Sequence, residues 1–124
     1  MTVTWDSLEA DLISHLPLLR ERYGAQKEWW EGDPIPQHVL MGDVFLPMLI
    51  EFARNGQSAE TEQLSQFLEL LAINEDVRLQ EVVSVTVLEF LEGEPDAIGV
   101  LRPQFGPGTL RLLEERERWR RAHR

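Results

Sequence analysis

An all-α fold of five to seven helices is what this chain predicts, and three observations carry that prediction. Apolar residues recur at steps of three and four along most of the 124 residues, the period of a single helix face. Capping residues and glycines stand where such segments would begin and end. Only one run, Val83 to Val87, alternates with polar residues in the manner of a strand.

Taken in order, Trp5, Leu8, Leu12, Leu16, Leu19 and Tyr23 share the face of a first helix. Thr4 serves as its N-cap, and Asp6 and Glu9 lie near the positive end of its dipole. Pro17 falls inside this stripe, so the helix kinks there or divides, with Pro17 opening the second piece. Gly24 offers a stop. Beyond a proline-rich stretch, Asp43 can cap the segment VFLPMLIEFAR, whose Pro47 stands near enough to the start to be tolerated, and Asn55-Gly56 ends it. Ser58 opens the next helix, with Glu60 and Glu62 in its first turn and Leu64, Phe67, Leu68 and Leu71 on one face. The tight link makes these two an antiparallel pair.

Asn74 is the expected cap of EDVRLQEVVSVTVLEFLEG. Its β-branched run could pair as a half-buried strand. The series Leu79, Val83, Val87, Phe90, the acidic first turn and the closing Gly93 instead favour a central, almost wholly buried helix. A helical turn around Pro95 to Leu101, the turn RPQFGPG and a last helix from Thr109 to about His123 complete the chain, the last with Leu110, Leu112, Leu113 and Trp119 as apolar positions. Residues 1–124 read as one domain. Two successive hairpins suggest stacked repeats of the HEAT or armadillo kind, and a compact bundle is the alternative.

Charge is the most informative bulk property. Residues 1–101 hold nineteen carboxylates and five basic groups, a balance of −14, whereas residues 102–124 hold seven arginines and three glutamates. An acidic body repels nucleic-acid phosphates and steers cationic partners toward itself. The arginine-rich end, RLLEERERWRRAHR, sets Glu114 four residues before Arg118 and Glu117 four before Arg121, the favourable order for ion pairs along a helix. That order makes a nucleic-acid role for Arg116 to Arg124 a minor alternative, and it gives Trp119 the part of a packing anchor.

Several chemistries find no support. Without cysteine there are no disulfides, thiolate metal sites or cysteine nucleophiles. His15, His38 and His123 are not spaced as a metal set, Glu89 and Glu92 lack the Glu-x-x-His partners of a di-iron bundle, and Gly106-Pro107-Gly108 has no phosphate-loop lysine. No catalytic residue, metal or cofactor is expected. Neither a membrane span nor a signal peptide is discernible, and the expected location is the cytoplasm.

What remains is a surface. In KEWWEGDPIP, residues 27–36, two adjacent tryptophans cannot both enter one core, because successive residues point about 100° apart on a helix and oppositely on an extended chain. Either both cover different parts of the core beneath a long loop, or one lies inside and the other outside. The other, taken as Trp30 among Glu28, Glu31 and Asp33, would be an aromatic anchor within an acidic rim. Glu75, Asp76, Glu92, Glu94 and Asp96 form a second candidate rim at helix ends.

The layout of an acidic N-terminal helix, a WW-containing loop and an acidic helical body centred on INEDVRLQEVVSVTVLEFLEG resembles small bacterial immunity proteins of polymorphic or contact-dependent toxin systems. The similarity is concentrated between Gly42 and Glu94. It implies a non-catalytic protein that binds a cognate toxin domain with a basic surface and occludes its active or substrate-binding site. It carries no individual residue roles. A helical-repeat scaffold or adaptor is the alternative function.

Overall fold

Thr4 Oγ1 accepts the Ser7 N–H at 3.0 Å while Ser7 Oγ accepts the Thr4 N–H at 2.9 Å, a reciprocal cap of the turn ahead of the first helix, whose own N-cap is Ser7 and not the expected Thr4. In the computed structural model, which describes residues 2–123, this cap leads into α1, Leu8–His15. Pro17 divides the stripe: Leu16 leaves the helical conformation, and a 3₁₀ turn, Pro17–Leu19, leads into α2, Arg20–Trp29. The break falls before the proline because the ring disfavours a helical residue ahead of it.

Gly24 does not end α2, contrary to the sequence expectation. A glycine stops a helix by entering the left-handed region, and here Glu31 (φ 53°) and Gly32 (φ 83°) do so instead. The Glu31 N–H donates to Glu28 O at 2.9 Å and the Gly32 N–H to Lys27 O at 3.0 Å, which is the Schellman pattern. A left-handed non-glycine residue is strained by about 1 kcal/mol or more. Glu31→Gly is therefore expected to raise stability by about 1 kcal/mol, read from the urea midpoint; an unchanged or lower midpoint would contradict this account of the turn.

Asp43 is not a cap either. The helix that contains it starts six residues earlier, after Pro36, and runs without interruption as Gln37–Leu40, a π segment Met41–Phe45 and Leu46–Arg54; residues 37–54 are α3. Pro47 explains part of this geometry. It has no N–H to offer Asp43 O, four residues back, and Arg22 Nε donates to that oxygen at 2.9 Å. Asn55-Gly56 closes α3 as expected, with Gly56 at φ 69° and the Gln57 N–H on Phe52 O at 2.9 Å. After it α4, Ser58–Ala72, folds back against α3.

The run Val83 to Val87 is helical, but its cap is Asp76, whose carboxylate accepts the Arg78 N–H at 2.9 Å. Asn74 turns the chain just before, accepting the Asp76 N–H at 2.8 Å and donating to Val3 O at 2.7 Å. The helix α5, residues 77–92, comprises Val77–Glu81, a π segment Val82–Leu88 and Glu89–Glu92. The π segment buries Val82 with Val87 and Val83 with Leu88, pairs five apart in keeping with i→i+5 bonding. That extra residue rotates the last turn of α5, so Leu91 enters the core while Phe90 is turned out and 53% exposed. The expectation of an almost wholly buried α5 with Phe90 inside is thereby corrected.

Pro95–Leu101 forms α6, after which comes a 3₁₀ turn, Arg102–Gln104. The last helix, α7, is Pro107–Ala122, two residues earlier at its start than Thr109 because Pro107 is preorganised for the first helical position. Among the described residues there are thus seven helices and no strand. One apolar cluster extends from Val3 to Leu113. α3 meets α5 and α6 as well as α4, and α7 meets both α4 and α5. These closing contacts distinguish a compact bundle from a stack in which each repeat touches only its neighbours. No residue of α2 is fully buried, so that helix lies on the outside of the bundle.

Candidate functional site

The segment after α2 is held by one carboxylate. Glu9, on α1, accepts Tyr23 OH at 2.9 Å and Lys27 Nζ at 2.7 Å through Oε2, and the Ile35 N–H at 2.7 Å through Oε1. Lys27 also donates to Asp33 O at 2.9 Å, and Ile35 is buried. Burial pushes the Glu9 carboxyl up, but the hydrogen bonds from Lys27, Ile35 and Tyr23 outweigh it and hold the group below its ordinary value. With both ends of the turn anchored, the two tryptophans have fixed and different orientations.

It is Trp29, 79% exposed, that faces outward. Trp30, the residue expected to be the exposed anchor, is half-buried against the core, with its indole N–H buried and unpaired among the described residues. Trp29 borders a groove of about 670 Å³ between α2 and α3, with apolar lining from Leu18, Ala25 and Met48 and carboxylates from Glu21, Asp43 and Glu51. Glu21, Asp43 and Glu51 are exposed. Arg22 also lines the groove and is engaged by the Asp43 carbonyl.

The other candidates are dispersed. Glu28 and Glu31 are exposed but border a separate shallow depression with Tyr23 and Lys27, because the helix turns them away from Trp29. Asp33 is exposed at the loop. Glu75 and Asp76 stand at the start of α5, whereas Glu92 and Glu94 stand at its end, roughly 24 Å away at 1.5 Å per residue, so they do not make one rim. Four of these carboxylates are occupied within the chain. Asp76 pairs with Arg78 at 2.8 Å, and the guanidinium holds its carboxyl below the usual range. Arg54 takes both Glu94 at 2.5 Å and Asp96 at 3.0 Å, lowering the Asp96 carboxyl in the same way. Glu92, with its side chain only 10% exposed, accepts from Arg116 at 2.7 Å and lies 3.5 Å from Arg120.

The arginines of α7 thus reach back onto the acidic body. Arg102 pairs with Glu117 at 2.9 Å and Arg111 with Glu115 at 3.0 Å. The expected pairs Glu114 to Arg118 and Glu117 to Arg121 are not formed among the described residues; Glu117 is taken by Arg102 instead. Trp119 is no packing anchor: it is 61% exposed and stacks on His123 with ring centroids 4.2 Å apart.

Sequence reading missed Glu21, Asp43 and Glu51 as a group. Asp43 and Glu51 are eight residues apart on one helix, but their convergence with Glu21 depends on α2 packing beside α3, which no local signal encodes. Among the described residues, no three His, Asp or Glu side chains gather as a metal site would require, and no helix is long and apolar enough to cross a membrane.

A small α-helical domain with an acidic groove bordered by an exposed indole is what this geometry defines. The chain belongs to the DUF7674 family, a domain of unknown function, whose model matches residues 9–120. No curated protein and no solved structure matches it.

Proposed function

We propose that this chain is a non-catalytic binding protein that captures a basic protein partner in the groove between α2 and α3. The reading is supported above all by Trp29: a large indole left in water beside Glu21, Asp43 and Glu51 is the composition of an interface anchor, an aromatic among groups that steer a cationic surface. The specific form proposed is an immunity-type inhibitor, acting in the cytoplasm, that occludes the active or substrate-binding site of a toxin domain, in line with the layout resemblance. Within the tail Arg116 to Arg124, Glu92 takes up Arg116 and Arg120, which weakens the case for a phosphate-binding role there.

The test is affinity capture from the native host at moderate salt with wild type and Trp29→Ser in parallel. One near-stoichiometric basic protein retained by wild type and weakened at least tenfold by the substitution is the expected result. Many substoichiometric proteins would favour the adaptor alternative, and equal retention by both would dismiss Trp29 as the anchor.

A further inference from the structure

On the far side of the Asp43 and Glu51 ridge lies a second groove, of about 760 Å³, between α3 and the end of α5. Its lining includes Leu46, Pro47, Ile50 and Phe90, and it shares Asp43 and Glu51 with the Trp29 groove. A half-exposed phenylalanine in an apolar depression gains nothing from water; Val77 and Val85 of α5 are exposed as well, but of these three only Phe90 lines this groove.

Local backbone geometry marks the same place. The two π segments, Met41–Phe45 and Val82–Leu88, pack against each other, so closely that a Cβ added at Gly42 would stand 3.3 Å from Thr86 Cγ2. Gly42, Asp43 and Thr86 all line the groove. π segments inside α-helices occur frequently at functional sites. Here the one in α5 turns Phe90 outward.

Charge indicates what would fit. Arg54, the cation beside this groove, is already neutralised by Glu94 and Asp96, which leaves Asp43 and Glu51 to set a negative field. We infer that the Phe90 groove takes an apolar side chain from a cationic amphipathic helix of the partner protein, whose Arg or Lys residues lie along the Asp43 and Glu51 ridge. This inference rests on the acidic-surface reading above and extends it to a second apolar anchor point on the opposite side of the ridge. Grooves of this kind recognise helices by apolar anchors at i, i+3, i+4 and i+7.

The experiment uses a synthetic amphipathic helical peptide with Leu anchors and Arg on the flanking positions. Two controls accompany it, one with the Leu anchors replaced by Ser and one with Arg replaced by Glu. Binding to the full chain is monitored by amide chemical-shift mapping, and thermal melts verify that Phe90→Ser, a change at an exposed position, remains folded. The expected result is salt-sensitive binding with shifts at Leu46, Ile50 and Phe90, weakened tenfold or more by Phe90→Ser and by loss of the Leu anchors. Binding indifferent to both changes would overturn the Phe90 inference while leaving the acidic reading intact. Equal binding of the Glu peptide would overturn both, and no binding at all would overturn the amphipathic-helix proposal.

Discussion

Replacing Glu69 with alanine is expected to remove on the order of 3 kcal/mol of folding stability, measured as a shift in the denaturant midpoint at unchanged slope. The reason is that α7 begins without a capping side chain of its own: Gly106 is its N-cap, and four N–H groups at any helix start need partners. Pro107 has no N–H to satisfy, and Glu69, reaching across from α4, accepts the next two, those of Gly108 and Thr109. Its Oε2 accepts the Gly108 N–H at 2.7 Å, and its Oε1 accepts both the Thr109 N–H and the Thr109 hydroxyl at 2.8 Å. Thr109 is fully buried, so water does not readily replace the lost acceptor, and an unpaired buried donor is penalised by about 1–3 kcal/mol. The carboxylate also meets the positive end of the α7 dipole. A loss below about 1 kcal/mol would mean that the helix start relaxes to solvent. The two glycines are part of the same device, since a Cβ at Gly106 would lie 2.5 Å from Glu69 Cδ and one at Gly108 would lie 2.5 Å from Ile73 Cγ2.

The double reversal Asp43→Lys with Glu51→Lys is expected to slow association with a basic partner by about two orders of magnitude at low salt and to flatten its salt dependence, with a smaller change in dissociation. Both carboxylates are exposed and line both grooves, so the folded state should tolerate the change. Stopped-flow association of the captured partner at two ionic strengths provides the measurement. If the rate of the double variant stays within a factor of about two, steering by this ridge is not part of recognition.

The helical class and most boundaries were legible in the sequence where a local signal coincided with the packing. Asn55-Gly56, Pro17 and the stripe Leu64, Phe67, Leu68, Leu71 are examples. Misreadings arose where a tertiary contact overrode a local signal. Asp43 has the composition of a cap but lies inside a helix that Arg22 helps to complete at Asp43 O. Gly24 lies within α2 because the positive-φ turn was placed at Glu31 and Gly32, where Glu9 and Lys27 anchor the chain. Among the candidate site residues, the WW stretch left open whether both indoles cover the core or one stands outside, because that depends on how the turn is anchored; the structure leaves Trp29 outside and Trp30, the residue named as a contact, against the core.

Residue order alone dictated that the chain is all-helical, that its body is acidic and that cysteine chemistry is excluded, because apolar period, composition and formal charge are properties of the linear chain. Which carboxylates remain for a partner depended on tertiary packing. Arg78, Arg54 and Arg116 occupy Asp76, Glu94, Asp96 and Glu92, whereas Glu21, Asp43 and Glu51 converge from α2 and α3 on one groove. The physical reason is that charge adds along a chain regardless of position, but pairing depends on distances of a few ångströms between helices far apart in sequence. Likewise, a single π segment in α5 shifts the phase of the helix and decides that Phe90 faces solvent while Leu91 joins the core.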